Sequence, residues 1–102
     1  MTWGVTVDVA APVELYDALH TALRGRTGSS VEGLLVHLAR ETADGFQVTE
    51  VWESRAQYDR YVDDVLTPVL DELSGGRASP EDRTEQSFEV RGLVLPRAGI
   101  AV

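Results

Sequence analysis

Residues 2–9, TWGVTVDV, set Trp3, Val5, Val7 and Val9 against Thr2, Thr6 and Asp8, the period-two alternation of a half-buried strand. Pro12 suits the first turn of a helix, where its missing N–H costs nothing. Over 12–25 the pattern turns helical, with Leu15, Leu19, Ala22 and Leu23 on one face and Gly25 as a stop. GRTGSS (25–30) reads as a loop. Two strands follow, 32–42 and 46–53, around Ala43-Asp44-Gly45, and the Asp-Gly pair predicts a tight hairpin. Ser54 and Gln57 match a capping box. Behind them Tyr58, Tyr61, Val62, Val65, Leu66, Val69, Leu70 and Leu73 recur at three-to-four spacing, with Arg55/Asp59 and Arg60/Asp64 as i,i+4 pairs on the wet side. Pro68 is expected to kink this helix or end its first part. A polar loop (75–83), a last strand (84–95) and an apolar tail complete the chain.

The order β-α-β-β-α-β predicts an α+β, ferredoxin-like fold: a four-stranded antiparallel sheet with two helices on one face. A two-residue loop at Asp44-Gly45 sets Ala43 against Phe46, His37 opposite Trp52 and Ala39 opposite Glu50. One hairpin face then carries Leu34, Val36, Leu38 and Val51, nearly all apolar, and is expected under the helices. The other carries Leu35, His37, Ala39, Phe46, Val48, Glu50 and Trp52. That mixed face is expected against a second copy of the chain, with a lined cavity between. The tail, 93–102, has no partner in a four-stranded sheet and is expected to reach onto the neighbour as an arm.

Composition narrows the function. The chain has 102 residues, 43% hydrophobic and 25% charged, which fits one globular domain. A monomer of this size buries only about two-thirds of its unfolded surface, so self-association is useful to it. Cysteine is absent and there are two histidines, which excludes disulfides and thiolate metal sites and leaves no dedicated metal site. The net charge of −8 disfavours nucleic acid and anionic membranes, both polyanions. No basic start with an apolar run, and no stretch of ~18 apolar residues, is present; the expected setting is cytoplasmic.

GLLVHLARETADGFQVTEVWESRAQYDRYVDDVLTPVLDEL (33–73) resembles the antibiotic biosynthesis monooxygenase-like family of dimeric α+β barrels. The likeness lies in a strand-turn-strand running into E-x-W-x-S and an aromatic-bearing helix: Glu50, Trp52, Ser54 and Tyr58. It implies a homodimer of sheets packed face to face, with a cleft between sheet and helices or within the barrel. It also implies cofactor-independent oxygenation of aromatic polyketides, or oxidative haem cleavage, among the family's activities. Haem-cleaving members use an asparagine on the first strand, a tryptophan in the second helix and a histidine further along it. This chain has no asparagine, Tyr61 at the tryptophan's place and no histidine between 38 and 102, so that mechanism is not expected.

Two residues are candidate catalytic groups. His37 is the best chemical candidate, because imidazole is the side-chain type that changes charge near neutral pH without a perturbed environment, and Glu50 on the same face can orient it. Leu35, Trp52, Tyr58 and Tyr61 are the candidate substrate-binding residues, walling an apolar cavity with few polar groups. Structural readings stand beside these: a satisfied interface histidine, a tryptophan closing the core, tyrosines packed with hydroxyls at the rim. His20 is expected to be exposed. The functional expectation is a cofactor-independent monooxygenase, or an isomerase or cyclase, acting on a small aromatic or polyketide-like molecule. Its alternative is a non-catalytic, dimeric small-molecule-binding or stress-related module of the same fold.

Overall fold

The computed structural model describes residues 2–28, 31–74 and 83–101. The polar loop expected over 75–83 lies, apart from Arg83, outside the described residues. The strands are β1 (Trp3–Val9), β2 (Leu34–Glu41), β3 (Phe46–Trp52) and β4 (Arg83–Glu89), in the sheet order β2-β3-β1-β4 with all neighbours antiparallel. Helix α1 (Val13–Thr27) joins β1 to β2, while α2 (Arg55–Tyr61) and α3 (Thr67–Ser74) lie between β3 and β4. The predicted βαββαβ order is the observed one. Among the described residues, no helix is long and apolar enough to cross a membrane.

Local chemistry explains most element ends. Gly25 does not stop α1; the helix runs to Thr27 and ends at Gly28, whose φ of 70° suits glycine and whose N–H bonds the Arg24 carbonyl at 2.8 Å. Ser54 caps α2, accepting the Gln57 N–H at 3.3 Å while its hydroxyl donates to Gln57 Oε1 at 2.9 Å. Pro68 does not end the helical run, which continues through it to Ser74. Val62–Leu66 widens into a π-helical turn, with the Thr67 N–H on the Val62 carbonyl. A proline ring crowds the carbonyl four residues earlier; the wide turn just upstream accommodates it, and α3 continues. The last strand ends at Glu89 instead of 95. Beyond it, β5 (Val94–Leu95) and β6 (Ile100–Ala101) form a separate small hairpin around a 3₁₀ turn, Pro96–Ala98.

The β2–β3 register departs from expectation by two residues. Thr42 and Gly45 exchange backbone hydrogen bonds (2.9 and 3.4 Å), so the loop is Ala43-Asp44. Glu41 faces Phe46, Ala39 faces Val48 and His37 faces Glu50. A two-residue slip preserves parity, so His37, Ala39, Phe46, Val48, Glu50 and Trp52 still share a side. Leu35 does not join them. A bulge between Leu34 and Val36 sets Leu34 opposite Trp52 and leaves Leu35 as the extra residue.

The helices cover the face opposite to the one expected. Tyr16 of α1 packs on Phe46 and bonds His37, and Tyr58 of α2 packs on Trp3 and Trp52. The hairpin considered alone misleads, because β1 decides the matter. Trp3, Val5, Val7 and Val9 pair with Trp52, Glu50, Val48 and Phe46, making that side the larger apolar surface. The other side of β1 offers only Gly4, Thr6 and Asp8. The helix tyrosines also need polar partners for their hydroxyls, and the inner face supplies His37 and, on β4, Glu85. Val5, Trp52 and Tyr58 form the centre of the core, with Trp3, Leu34, Tyr61 and Val62 packed around them.

Candidate functional site

Two opposite edges of the covered face carry chemistry. At the β2 edge, parity brings His37 and Glu50 together, and α1 lays one helical turn, Tyr16 to His20, over them. His37 Nδ1 lies 2.7 Å from Glu50 Oε2, and Nε2 lies 2.8 Å from the Tyr16 hydroxyl. Carboxylate oxygens only accept, so Nδ1 carries a proton; in the neutral ring Nε2 then keeps a lone pair, which accepts from Tyr16. The same hydroxyl oxygen lies 3.3 Å from His20 Nδ1, close enough to accept from it. The three rings are near-parallel, with centroids 5.5–6.0 Å apart. His20, expected in solvent, is half-buried in this stack. Burial, then the charges of Glu50 and Asp17, raise the Tyr16 pKa, so its hydroxyl stays protonated.

Glu50 has a second task. Its Oε1 accepts the Trp52 indole N–H at 3.3 Å. Trp52 is fully buried, so among the described residues its ring faces protein on every side. Tyr61 packs on that ring at 5.3 Å, its pKa pushed up to about 12 by burial and then by the Glu50 charge.

At the β4 edge the sheet outruns its helices, and every residue from Thr84 to Glu89 is exposed. The space left between β4 and α2 is an open cleft of about 520 Å³, lined by Trp3, Arg55, Tyr58, Asp59, Val62, Asp63, Arg83, Glu85 and Ser87. Tyr58 donates its hydroxyl to Glu85 at 3.0 Å, and Arg83 reaches the other Glu85 oxygen at 3.3 Å. Burial and then the Glu85 charge raise the Tyr58 pKa far beyond its ordinary value. Arg55 stands 5.9 Å over the Trp3 ring and 3.7 Å from Asp59. A shallower cleft of about 310 Å³ opens between the end of α1 and α2, lined by Thr27, Val31, Glu32, Gln57, Arg60, Tyr61, Asp64 and Val65.

Of the expected binding residues, Tyr58 lines the larger cleft and Tyr61 the smaller; Leu35 and Trp52 line neither. His37 and Glu50 meet, but at the edge of the sheet away from the larger cleft. Sequence reading missed Trp3, Arg83, Glu85 and Tyr16. Trp3 lay in plain view at the start of an alternating strand, and Tyr16/His20 at i,i+4 spacing. Nothing local marks Glu85, whose place depends on which strand neighbours β1. Among the described residues, no group of three histidines or acidic residues is placed to hold a metal ion.

Known structures share the fold across almost the whole chain. A protein of unknown function from Nitrosomonas europaea, NE2512, superposes with a TM-score of 0.70 at 18% identity, covering 93% of this chain and 94% of its own. A candidate antibiotic biosynthesis monooxygenase from Deinococcus radiodurans gives 0.61 at 19% identity, over 93% and 97%. A variant of SnoaB, a cofactor-independent oxygenase from Streptomyces nogalater, gives 0.56 at 14% identity, over 93% and 95%. This chain has the antibiotic biosynthesis monooxygenase-like fold. No family model matches its sequence, and no curated protein does. At these identities the likeness fixes the architecture, while the reaction has to be argued from this chain's own side chains.

Proposed function

We propose that the protein binds a small aromatic or polyketide-like molecule in the cleft beside β4 and oxygenates it without a cofactor. The cleft itself carries the reading. Its volume falls in the range of small-molecule sites, Trp3 and Tyr58 offer aromatic surface, and the Tyr58–Glu85–Arg83 group supplies a carboxylate within a hydrogen-bond network. An acidic phenol or enol lying on the Trp3 ring could pass its proton to Glu85. Arg55 and Arg83 would then stand near the anion, and that electron-rich anion is the species dioxygen attacks. SnoaB, of the same fold, is a cofactor-independent oxygenase. His37 and Glu50 are the competing proton acceptor, open to a substrate only from the β2 edge.

Dioxygen uptake with a panel of naphthols and related acidic phenols tests this. General-base removal lowers rates by about 10²–10⁴. Glu85→Gln should lose at least about 100-fold, and His37→Ala should keep most of its turnover. The reverse outcome moves the chemistry to His37. Absence of both binding and uptake with every phenol removes the proposal.

A second reading, binding without catalysis, draws support from the β2 edge: the His37 lone pair is already taken by Tyr16, and Trp52 is out of a ligand's reach. It predicts thermal shifts with aromatic ligands and no uptake. In either reading we infer a homodimer formed across the outer sheet face, where Leu38 is 63% and Phe88 43% exposed.

A further inference from the structure

All the tyrosines and tryptophans of the chain, three and two, stand on the helix-covered side of the sheet, and they form a series. From the β4 cleft inward, Trp3 and Tyr58 lie 4.7 Å apart by centroid, Tyr58 and Trp52 5.7 Å, and Trp52 and Tyr61 5.3 Å. From Trp52 the series continues through hydrogen bonds: indole N–H to Glu50, Glu50 to His37, and His37 to Tyr16 at the other edge. Ordinary packing explains the ring contacts. The need of buried polar groups for partners explains why the hydroxyls and the indole N–H are bonded; that three of those partners are ionisable bases, Glu85 for Tyr58, Glu50 for Trp52 and His37 for Tyr16, adds a proton acceptor at each ring. Reversible one-electron oxidation of a phenol needs such an acceptor, because the oxidised phenol is strongly acidic and must have somewhere to leave its proton and retrieve it; an oxidised indole is acidic too and can use one in the same way.

We propose that these side chains form a relay that carries an oxidising equivalent from the β4 cleft to Tyr16 at the β2 edge. The oxidant belongs to the class left by incomplete dioxygen reduction, such as a peroxyl radical; its origin rests on the function proposed above, while the relay does not. The oxidant takes one electron from Tyr58, whose O–H bond breaks as the proton moves to Glu85. Trp52 refills Tyr58 with an electron as its indole proton moves to Glu50, and the Tyr58 proton returns from Glu85. Tyr16 refills Trp52, whose proton returns from Glu50; the Tyr16 O–H bond breaks and an N–H bond forms at His37 Nε2. The oxidant has gained one electron, and a tyrosyl radical at Tyr16 faces a histidinium held by Glu50. Damage is thereby drawn away from the cleft to a site that external reductants can reach.

The absence of cysteine makes the test clean. Ser87→Cys gives one attachment point in the cleft for a ruthenium polypyridyl photo-oxidant, so that no substrate or turnover is needed. After a flash with a sacrificial electron acceptor, freeze-trapped electron paramagnetic resonance should show a tyrosyl radical that is lost in the Tyr16→Phe background. Trp52→Phe, which keeps an aromatic core, should lower its yield at least tenfold. A radical with the same spectrum and yield after Tyr16→Phe overturns the relay, and so does a folded Trp52→Phe protein with undiminished transfer. Because the oxidant is tethered, a negative result condemns the relay and leaves the proposed oxygenation untouched. Failure to oxygenate phenols likewise leaves the relay standing.

Discussion

Trp52 donates to a glutamate two residues earlier on its own strand, and period-two geometry is what makes that contact possible. Glu50 must sit among aromatic rings to do this, and its charge is felt by the tyrosines around it, Tyr16, Tyr58 and Tyr61. Tyr61 gives a measurable consequence. Its folded pKa is about 12, against about 10 for a free phenol, so folding favours the neutral form. The raised value contributes stability in full below pH ~10, and the contribution disappears as pH rises through about 12. Thermal stability should therefore fall between those values, with phenolate absorbance rising as the protein unfolds. Tyr61→Phe, which has no proton to lose, should show a shallower fall; an unchanged slope would mean that Tyr61 ionises as freely folded as unfolded.

At the scale of elements, the hairpin and the first strand meet at Gly45. A Cβ there would run into the Val9 carbonyl oxygen and lie 2.7 Å from that of Ala11, both backbone atoms at the β1–α1 junction. Gly4 is crowded in a different way: its Cβ would run into the Phe88 ring, and that ring is exposed and can swing aside. Gly45→Ala should cost about 1–3 kcal/mol or more, as overpacking against atoms that cannot yield does, and Gly4→Ala clearly less. Urea denaturation of both variants checks the order; equal losses would mean the junction is softer than its geometry. The same contrast marks what was legible in the sequence. Strand and helix periods, the Ser54 cap and the shared side of His37, Glu50 and Trp52 are local, and reading residues in order finds them. The bulge at Leu35 has no local signal. The turn position, with Gly45 against the Val9 and Ala11 carbonyls, and the covered face depend on β1 lying between β3 and β4. That long-range pairing outweighs an Asp-Gly turn signal and the more apolar hairpin face. The larger cleft escaped for the same reason, since four of its nine lining residues come from β1 and β4.

For the whole molecule, the enclosed core among the described residues is small: Val5, Phe46, Val51, Trp52, Tyr58 and Val69. The outer sheet face has an internal polarity that suits association. Arg40, Gln47 and Asp8 are joined across three strands by hydrogen bonds of 3.0 and 3.1 Å, and Thr6 meets Thr49 at 3.4 Å. Beside this polar half lie Val36, Leu38 and Phe88, with Val51 buried beneath them. In a two-fold dimer each patch meets its own copy, so a single substitution acts twice. Leu38→Glu would bring two carboxylates into a desolvated interface on a chain already at −8, and burying unpaired charge costs several kcal/mol. Sedimentation equilibrium should give a dimer for the unaltered chain and a dissociation constant at least ~100-fold weaker for Leu38→Glu. Phenol binding in the β4 cleft, on the other face of the sheet, should survive in the monomer. Val94→Glu, on the exposed β5–β6 hairpin, separates the arm from the face: weakening by Val94→Glu but not by Leu38→Glu would place the contact on the hairpin, and an unaltered chain that sediments as a monomer at all concentrations would remove the dimer.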